Sequence, residues 1–165
     1  MTVPLLIIDV QQGFMTPATA HVPGRVEALQ ADYAAVLATR FVNPEGSAHR
    51  RLLGWDRFAP GSAETALAFR PREDAHILEK RLYTCVDGPF LERLARLGAG
   101  EVHLCGIATD NCVLKCAVDL FEAGLRPVVL ARACASHAGP DYHQWGLRIL
   151  RRLIGAAQVV EGAEG

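Results

Sequence analysis

The chain has 165 residues, of which 50% are apolar and 21% are charged, values typical of one soluble globular domain. A formal net charge of −1 argues against a nucleic acid or an anionic membrane surface as a partner, and no apolar stretch approaches the roughly 20 residues that span a bilayer. The odd number of cysteines, five, and an N-terminus without the pattern of a secretory signal predict a cytoplasmic location. We therefore expect a single domain over residues 1–165 with no nucleic-acid or membrane partner.

Strand and helix patterns alternate along the chain. Strands are predicted at residues 3–8, 34–42, 75–79, 101–107, 127–131 and 157–160, and helices at 25–31, 88–97, 110–123 and 140–153. The segment 43–62 contains prolines and glycines throughout and is predicted to be a long loop, a feature that is usually functional in a compact domain. The alternation predicts an α/β fold with a parallel sheet.

Three reactive side chains follow predicted strands. Asp9 ends the apolar run 3–8, Lys80 ends the strand 75–79, and Cys112 lies where the strand 101–107 gives way to a helix. Taken singly, the acid and the lysine are compatible with solvated strand ends, and the cysteine with a small buried apolar residue. Because open α/β sheets bind ligands at the carboxyl ends of their strands, the combination favours a catalytic site.

The chemistry requires these residue types. A thiol at a helix N-terminus is shifted towards the thiolate by the unpaired N–H groups and the helix dipole. Lys80 would stabilise that anion, and Asp9 would accept the thiol proton and return it to a leaving amine. This arrangement predicts nucleophilic attack on a carbonyl carbon.

The chain resembles the isochorismatase-like cysteine hydrolase superfamily, and the similarity lies in the segments 9–14, 80–84 and 106–112 and continues to His143. The resemblance implies a doubly wound, Rossmann-like sheet of six parallel strands with helices on both faces. It implies Asp9, Lys80 and Cys112 as the catalytic residues. It also implies that the N–H groups of Ala108 and Cys112 form the oxyanion hole and that the Ile107–Ala108 peptide is cis.

Phe14, Tyr83 and Ile107 are predicted to contact the substrate, the first two because they follow catalytic strand ends. Trp55 and Phe58 either cover the site from the long loop or pack in a subunit interface or on the helices.

His137 follows the fifth strand, where it either reaches the pocket or lies at the surface. His76, His103 and His143 are predicted to be structural.

No metal or other cofactor is expected. Zinc-binding amidases of the family carry an Asp-x-His pair after the second strand, whereas this chain has Phe-Val-Asn-Pro at 41–44. A phosphatase site built on Cys105 would need an arginine six residues later, and that residue is Asn111.

These observations predict a metal-independent amidohydrolase that cleaves the C–N bond of a small amide, ureido or carbamoyl compound through a thioester. An isochorismate-type vinyl ether hydrolase is the alternative within enzymes, and a non-catalytic binding or scaffold protein is the alternative outside them. Apolar residues on more than one face of the helix 111–123 predict a homo-oligomer, which the resemblance also implies.

Overall fold

A sheet of six parallel strands lies at the centre of the structure, a computed structural model that describes residues 2–161. The strands are β1 (Leu5–Ile8), β2 (Val36–Phe41), β3 (His76–Lys80), β4 (Glu101–Ile107), β5 (Arg126–Ala135) and β6 (Val159–Val160). Their order is β3-β2-β1-β4-β5-β6, so the chain winds outwards from β1 to β3 and then returns to the other side of β1. This confirms the doubly wound α/β fold.

Five α-helices connect the strands: α1 (Val22–Leu29), α2 (Ala48–Leu53), α3 (Gly88–Arg96), α4 (Leu114–Glu122) and α5 (Pro140–Ile154). All four residues of β1 are fully buried. Because successive side chains of a strand point to opposite faces, both faces of the sheet are covered at its centre. The core therefore lies on both sides of β1, and the carboxyl ends of the central strands form an edge where a site can be built.

The predicted long loop at 43–62 contains α2, so its description as loop was wrong. The side chain of Ser47 caps this helix by accepting a hydrogen bond from the Arg50 N–H (3.1 Å), and Gly54 ends it with φ of 64°. A serine cap and a terminal glycine with positive φ are ordinary helix boundaries, but six residues are too few to show a clear apolar period.

Other boundaries also differ from the prediction. The helix predicted at 110–123 is α4 at Leu114–Glu122, preceded by a π-helical turn, and the strand predicted at 157–160 is only Val159–Val160. Helix α1 begins at Val22 rather than at residue 25, because Pro23 is compatible with the first helical turn. Strand β5 continues to Ala135 rather than ending at 131, since a register shift lets Cys134 and Ala135 pair with the end of β4.

Helix α5 carries an exposed apolar stripe, which we call the α5 stripe and which consists of Tyr142, Trp145, Ile149 and Leu153. On α4, Leu114 and Val118 are partly buried and Phe121 is exposed. Apolar surface of this extent is compatible with self-association, which stays a prediction. None of the helices within residues 2–161 has the length and apolar character needed to span a membrane.

Candidate active site

Asp9, Lys80 and Cys112 meet at the carboxyl ends of the central strands. The Lys80 Nζ lies 2.6 Å from Asp9 Oδ2 and 3.6 Å from Cys112 Sγ. The carboxyl group is fully buried, and the lysine and the cysteine are 6% and 7% exposed. The structure thus brings together the three residues that the sequence singled out.

Thr39 in β2 fixes the Asp9 carboxyl group. Its hydroxyl donates a hydrogen bond to Asp9 Oδ1 (2.6 Å) and accepts one from the Asp9 backbone N–H (3.0 Å). Asp9 has φ of 48°, in the left-handed region, so the chain turns sharply as it leaves β1. Each carboxyl oxygen therefore has its own partner, one in the hydroxyl and the other in the ammonium group. Thr39 is a positioning residue that the sequence did not reveal, because it lies inside a strand.

The Lys80 ammonium group is held from several sides. It donates hydrogen bonds to the carbonyl oxygens of Leu82 (2.8 Å) and Tyr83 (3.1 Å), and it lies over the Phe41 ring. Burial disfavours its charged form, but the Asp9 carboxylate and the nearby thiols outweigh burial and raise the pKa of Lys80. Lys80 is therefore a permanent cation within reach of the Cys112 sulfur.

The Cys112 thiol differs from the prediction. Burial, followed by the Asp9 carboxylate, raises the pKa of Cys112 well above its ordinary value, and Lys80 offsets only part of this effect. The expected thiolate at a helix start is wrong because the residue lies under the protein surface, in the wide π-helical turn Thr109–Val113 that precedes α4. The resting group is a thiol, so a nucleophilic role requires a base at the moment of attack.

The turn before Cys112 contains a cis peptide bond between Ile107 and Ala108, as the resemblance implied. Ala108 and Cys112 both line the cavity described next, and their role as the oxyanion hole stays a prediction. Ile107 does not line that cavity: its side chain is fully buried in the core. The cavity lining therefore gives no support to Ile107 as a substrate contact, which stays a prediction.

Cys112 lines a cavity of about 340 Å³, which we call the site cavity. Four aromatic rings contribute to its walls: Phe14, Phe41, Trp55 and Tyr83. Phe14 and Tyr83 therefore lie where the sequence placed them. Phe58 is fully buried and stacks beneath Phe14 at a ring separation of 4.2 Å, so it supports the wall and does not form it.

Two imidazoles supply polar atoms to the site cavity. His49 is 5% exposed and packs against the rings of Phe41, Trp55 and Tyr83, and neither of its ring nitrogens has a hydrogen-bond partner within residues 2–161. The buried Nδ1 of His137 likewise has no partner there. Because burial lowers the pKa of both histidines, both are neutral at pH 7.

Arg57 is the one charged side chain that lines the site cavity within residues 2–161. Its guanidinium Nε lies 2.7 Å from Glu64 Oε1, and its Nη2 donates a hydrogen bond to the Gly13 carbonyl oxygen. Among the described residues, the cavity therefore presents no unpaired formal charge to a ligand.

The sequence did not indicate His49 or Arg57. Helix α2 carries His49 to the cavity, and the Ser47 cap and Gly54 were the signals that could have located that helix. His137 lines the cavity, although the sequence left it between the pocket and the surface. The Nδ1 of His143 lies 2.7 Å from the Thr109 hydroxyl, and its structural role stays a prediction.

The residues that stand where the resemblance implied an Asp-x-His pair have other contacts here. The Phe41 ring lies under Lys80, and the Asn43 amide donates hydrogen bonds to the carbonyl oxygens of Trp55 and Arg57. Within residues 2–161, no three His, Cys, Asp or Glu side chains group together as a metal site would require. Metal independence itself stays a prediction.

Comparison with known proteins agrees with this geometry. The family model for the isochorismatase domain matches residues 4–163. The chain belongs to the isochorismatase family. The uncharacterised isochorismatase family protein PncA of Bacillus subtilis (strain 168) is 40% identical over 89 residues, which cover 53% of this chain and 48% of that protein. The chain thus aligns with about half the length of this curated relative.

Solved structures share the whole fold. A nicotinamidase, PncA, from Bacillus subtilis superposes with a TM-score of 0.81 at 23% identity, over 97% of this chain and 100% of the other. N-carbamoylsarcosine amidase from Thermoplasma acidophilum gives a TM-score of 0.82 at 22% identity, over 100% of both chains. A pyrazinamidase of Pyrococcus horikoshii in complex with zinc gives 0.81 at 21% identity, over 97% of this chain and 98% of the other. At these identities, the likeness establishes the fold.

Proposed function

We propose that this protein is a cysteine-dependent hydrolase that cleaves the C–N bond of a small, uncharged amide, ureido or carbamoyl compound through a thioester intermediate. We further propose that it works without a metal or other cofactor, as a cytoplasmic homo-oligomer. The observation that carries the reaction is the contact of the Lys80 ammonium group with both Asp9 and Cys112, together with the position of Cys112 in the lining of the site cavity. The amidases among the proteins of the same fold support the reaction class.

The raised pKa of Cys112 assigns the proton transfers. Cys112 attacks the substrate carbonyl carbon while Asp9 takes the thiol proton, and the carbonyl oxygen becomes an oxyanion that the N–H groups of Ala108 and Cys112 receive. The C–N bond then breaks, and Asp9 returns the proton to the departing amine. Water attacks the resulting thioester with Asp9 as base, which releases the acid and restores the thiol.

Lys80 performs a different task from Asp9. Its pKa is raised, so it stays protonated and stabilises the negative charge that develops on sulfur. Its hydrogen bonds to two backbone carbonyl oxygens hold the ammonium group in place before substrate arrives. Such preorganised charge is usually the largest contribution to lowering an enzymatic barrier.

The site cavity favours an uncharged substrate. Arg57 is already paired with Glu64, and both cavity imidazoles are neutral. An isochorismate-type vinyl ether carries carboxylates, which would need an unpaired cation in the cavity. An uncharged amide is therefore the better match for this cavity. The vinyl ether reaction also has no need of a thiol beside Asp9 and Lys80.

We assign His49 as a polar anchor for the substrate. A buried imidazole with two unpaired nitrogens among aromatic rings gains a hydrogen bond when a polar ligand enters. Loss of that bond costs about 1–3 kcal/mol. His49→Phe should therefore raise KM about tenfold with a smaller change in kcat, whereas His49→Gln, which keeps a donor and an acceptor, should recover part of the loss.

Ammonia release from a panel of small primary amides and ureas tests the proposal. The panel pairs each neutral compound with an analogue that bears a carboxylate. We expect turnover of neutral compounds by the wild type and by Cys134→Ala, a buried cysteine outside the site cavity, and none by Cys112→Ala. Full activity of Cys112→Ala, or turnover confined to the carboxylates, would contradict the proposal.

A further inference from the structure

We propose that Cys85 and Cys116 form a second thiol site, which hydrogen peroxide oxidises to an intramolecular disulfide. Their sulfur atoms lie 3.8 Å apart in the reduced protein. Cys85 lies in the loop 81–87 between β3 and α3, and Cys116 lies in α4, four residues beyond Cys112. The site is thus shared between the loop that holds Lys80 and the helix that follows the nucleophile.

A cleft separate from the site cavity leads to this pair. Its volume is about 480 Å³, and Cys85 lines it together with Thr84, Asp87 and side chains of α3. Cys112 is not among its lining residues, and Cys116 is fully buried behind Cys85. A small oxidant that enters the cleft therefore meets Cys85 first.

The two thiols differ in access and in acidity. The hydrogen bond to Cys116, followed by burial, raises the pKa of Cys85, whereas the hydrogen bond from Cys85, together with the nearby Lys80, lowers the pKa of Cys116 despite its burial. Access through the cleft therefore assigns the first step to Cys85, and thiolate character assigns the second step to Cys116. Peroxide first transfers one oxygen to the Cys85 sulfur, which gives a sulfenic acid and one water. The Cys116 sulfur then attacks the sulfenic sulfur and displaces hydroxide, which takes up the Cys116 proton as a second water. Two thiols and one peroxide thus become one disulfide and two waters.

The disulfide would reach the catalytic lysine through the loop. An S–S bond is about 2.05 Å long, so the two sulfur atoms must approach by roughly 1.8 Å. The same loop provides the Leu82 and Tyr83 carbonyl oxygens that hold Lys80, and Cys116 itself donates to the Tyr83 oxygen. Under the proposed function, oxidation therefore displaces Lys80 and slows turnover reversibly, as redox-sensing disulfides of cytosolic proteins do.

Peptide mapping of the full chain tests the site without any substrate. The protein is treated with hydrogen peroxide, free thiols are blocked with iodoacetamide, and the chain is digested with trypsin. Cys85 is then found in peptide 82–93, Cys116 in 116–132, and Cys112 in 97–115, so the pair is separated from the nucleophile. We expect 82–93 linked to 116–132 with the loss of two hydrogens, and release of both peptides by dithiothreitol.

Matched variants decide the outcome. The link should be absent in Cys85→Ala and in Cys116→Ala but present in Cys134→Ala and Cys112→Ala. Separate, fully alkylated 82–93 and 116–132 peptides after peroxide treatment, or a link from either peptide to another cysteine, would overturn the proposed site.

A second measurement tests the coupling to Lys80. A displacement of about 1 Å can cost about 100-fold in rate, so a wild-type sample with the disulfide should hydrolyse a working amide about 100-fold more slowly and recover with dithiothreitol. Cys85→Ala treated in the same way controls for oxidation of Cys112. Unchanged turnover in the linked protein would refute the coupling and leave the disulfide itself standing, and absence of amidase activity in the reduced protein would count against the proposed function alone.

Discussion

Replacing Asp9 with Asn should destabilise the fold as well as impair turnover. Asn is close to Asp in size and tolerates the left-handed φ of 48° at this position, so the change removes the charge with little steric disturbance. It leaves the Lys80 ammonium group buried and without its anion. The variant thus measures the contribution of the ion pair to the folded state.

The size of the effect follows from the geometry of the pair. At the observed separation of 2.6 Å, two unit charges attract by about 6 kcal/mol with an effective dielectric constant of about 20. Desolvation opposes part of that attraction, and removing one partner of a buried pair typically costs about 3–5 kcal/mol. We therefore expect the free energy of unfolding of Asp9→Asn to fall by about 3–5 kcal/mol, a large part of the roughly 5–15 kcal/mol of a typical domain.

Urea unfolding followed by circular dichroism measures this loss as a lower midpoint. The matched controls are two further variants. Lys80→Met leaves the Asp9 carboxylate buried without its cation, and the double variant Asp9→Asn/Lys80→Met removes both charges. We expect each single variant to be destabilised. The double variant should lose less unfolding free energy than the sum of the two single losses. Additive losses in the cycle, or wild-type stability of Asp9→Asn, would refute the assignment of a buried, mutually dependent ion pair.

Four further outcomes are expected. Activity and fold should survive exhaustive chelation with EDTA, because no metal site is expected; activity lost on chelation and restored by zinc would be incompatible with this. Burial lowers the pKa of five histidines, so the unfolded chain binds more protons than the folded protein at pH values just below about 6.5. The urea midpoint should therefore fall as the pH drops from 7.5 to 5.5, and a flat profile would argue against neutral buried imidazoles. The five histidines with a lowered pKa are His21, His49, His76, His137 and His143. Gly106→Ala should lower the melting temperature far more than Gly124→Ala. Both glycines have positive φ, but a Cβ at Gly106 would lie 2.1 Å from the Ile8 carbonyl oxygen, whereas a Cβ at Gly124 would enter open space. Equal shifts in melting temperature would contradict the close approach of β4 to β1. Static light scattering at micromolar concentration should give the mass of an oligomer, as the α5 stripe favours, and a monomer mass would exclude self-association under those conditions.

The strand-end positions of the site could be predicted because they depend on strand order alone. Asp9, Lys80 and Cys112 each follow an apolar run, and parallel strands place such residues at one edge of a sheet. The contacts between the three side chains then follow from the doubly wound topology. The alternation of strands and helices predicted the parallel sheet and its shared edge, and the family resemblance implied the doubly wound topology.

The chemistry of Cys112 and the lining of the site cavity could not be predicted in the same way. The pKa of the thiol depends on how deeply the chain buries it, which a helix-start position does not specify. His49 reaches the cavity through α2, a helix too short to leave a periodic pattern. Ile107 and Phe58 lie in the core rather than in the wall because local backbone direction, and not sequence position, decides where a side chain points.

The most direct test of the covalent mechanism is the detection of the thioester on Cys112. A neutral amide that gives turnover is mixed with the protein, the reaction is quenched in acid within the first turnovers, and the tryptic peptide 97–115 is analysed by mass spectrometry. We expect the mass of the substrate acyl group to be added to this peptide at Cys112, to be removed by hydroxylamine, and to be absent from Cys112→Ala. Turnover by the wild type without any acyl adduct, together with turnover by Cys112→Ala at the wild-type rate, would contradict a covalent role for this cysteine.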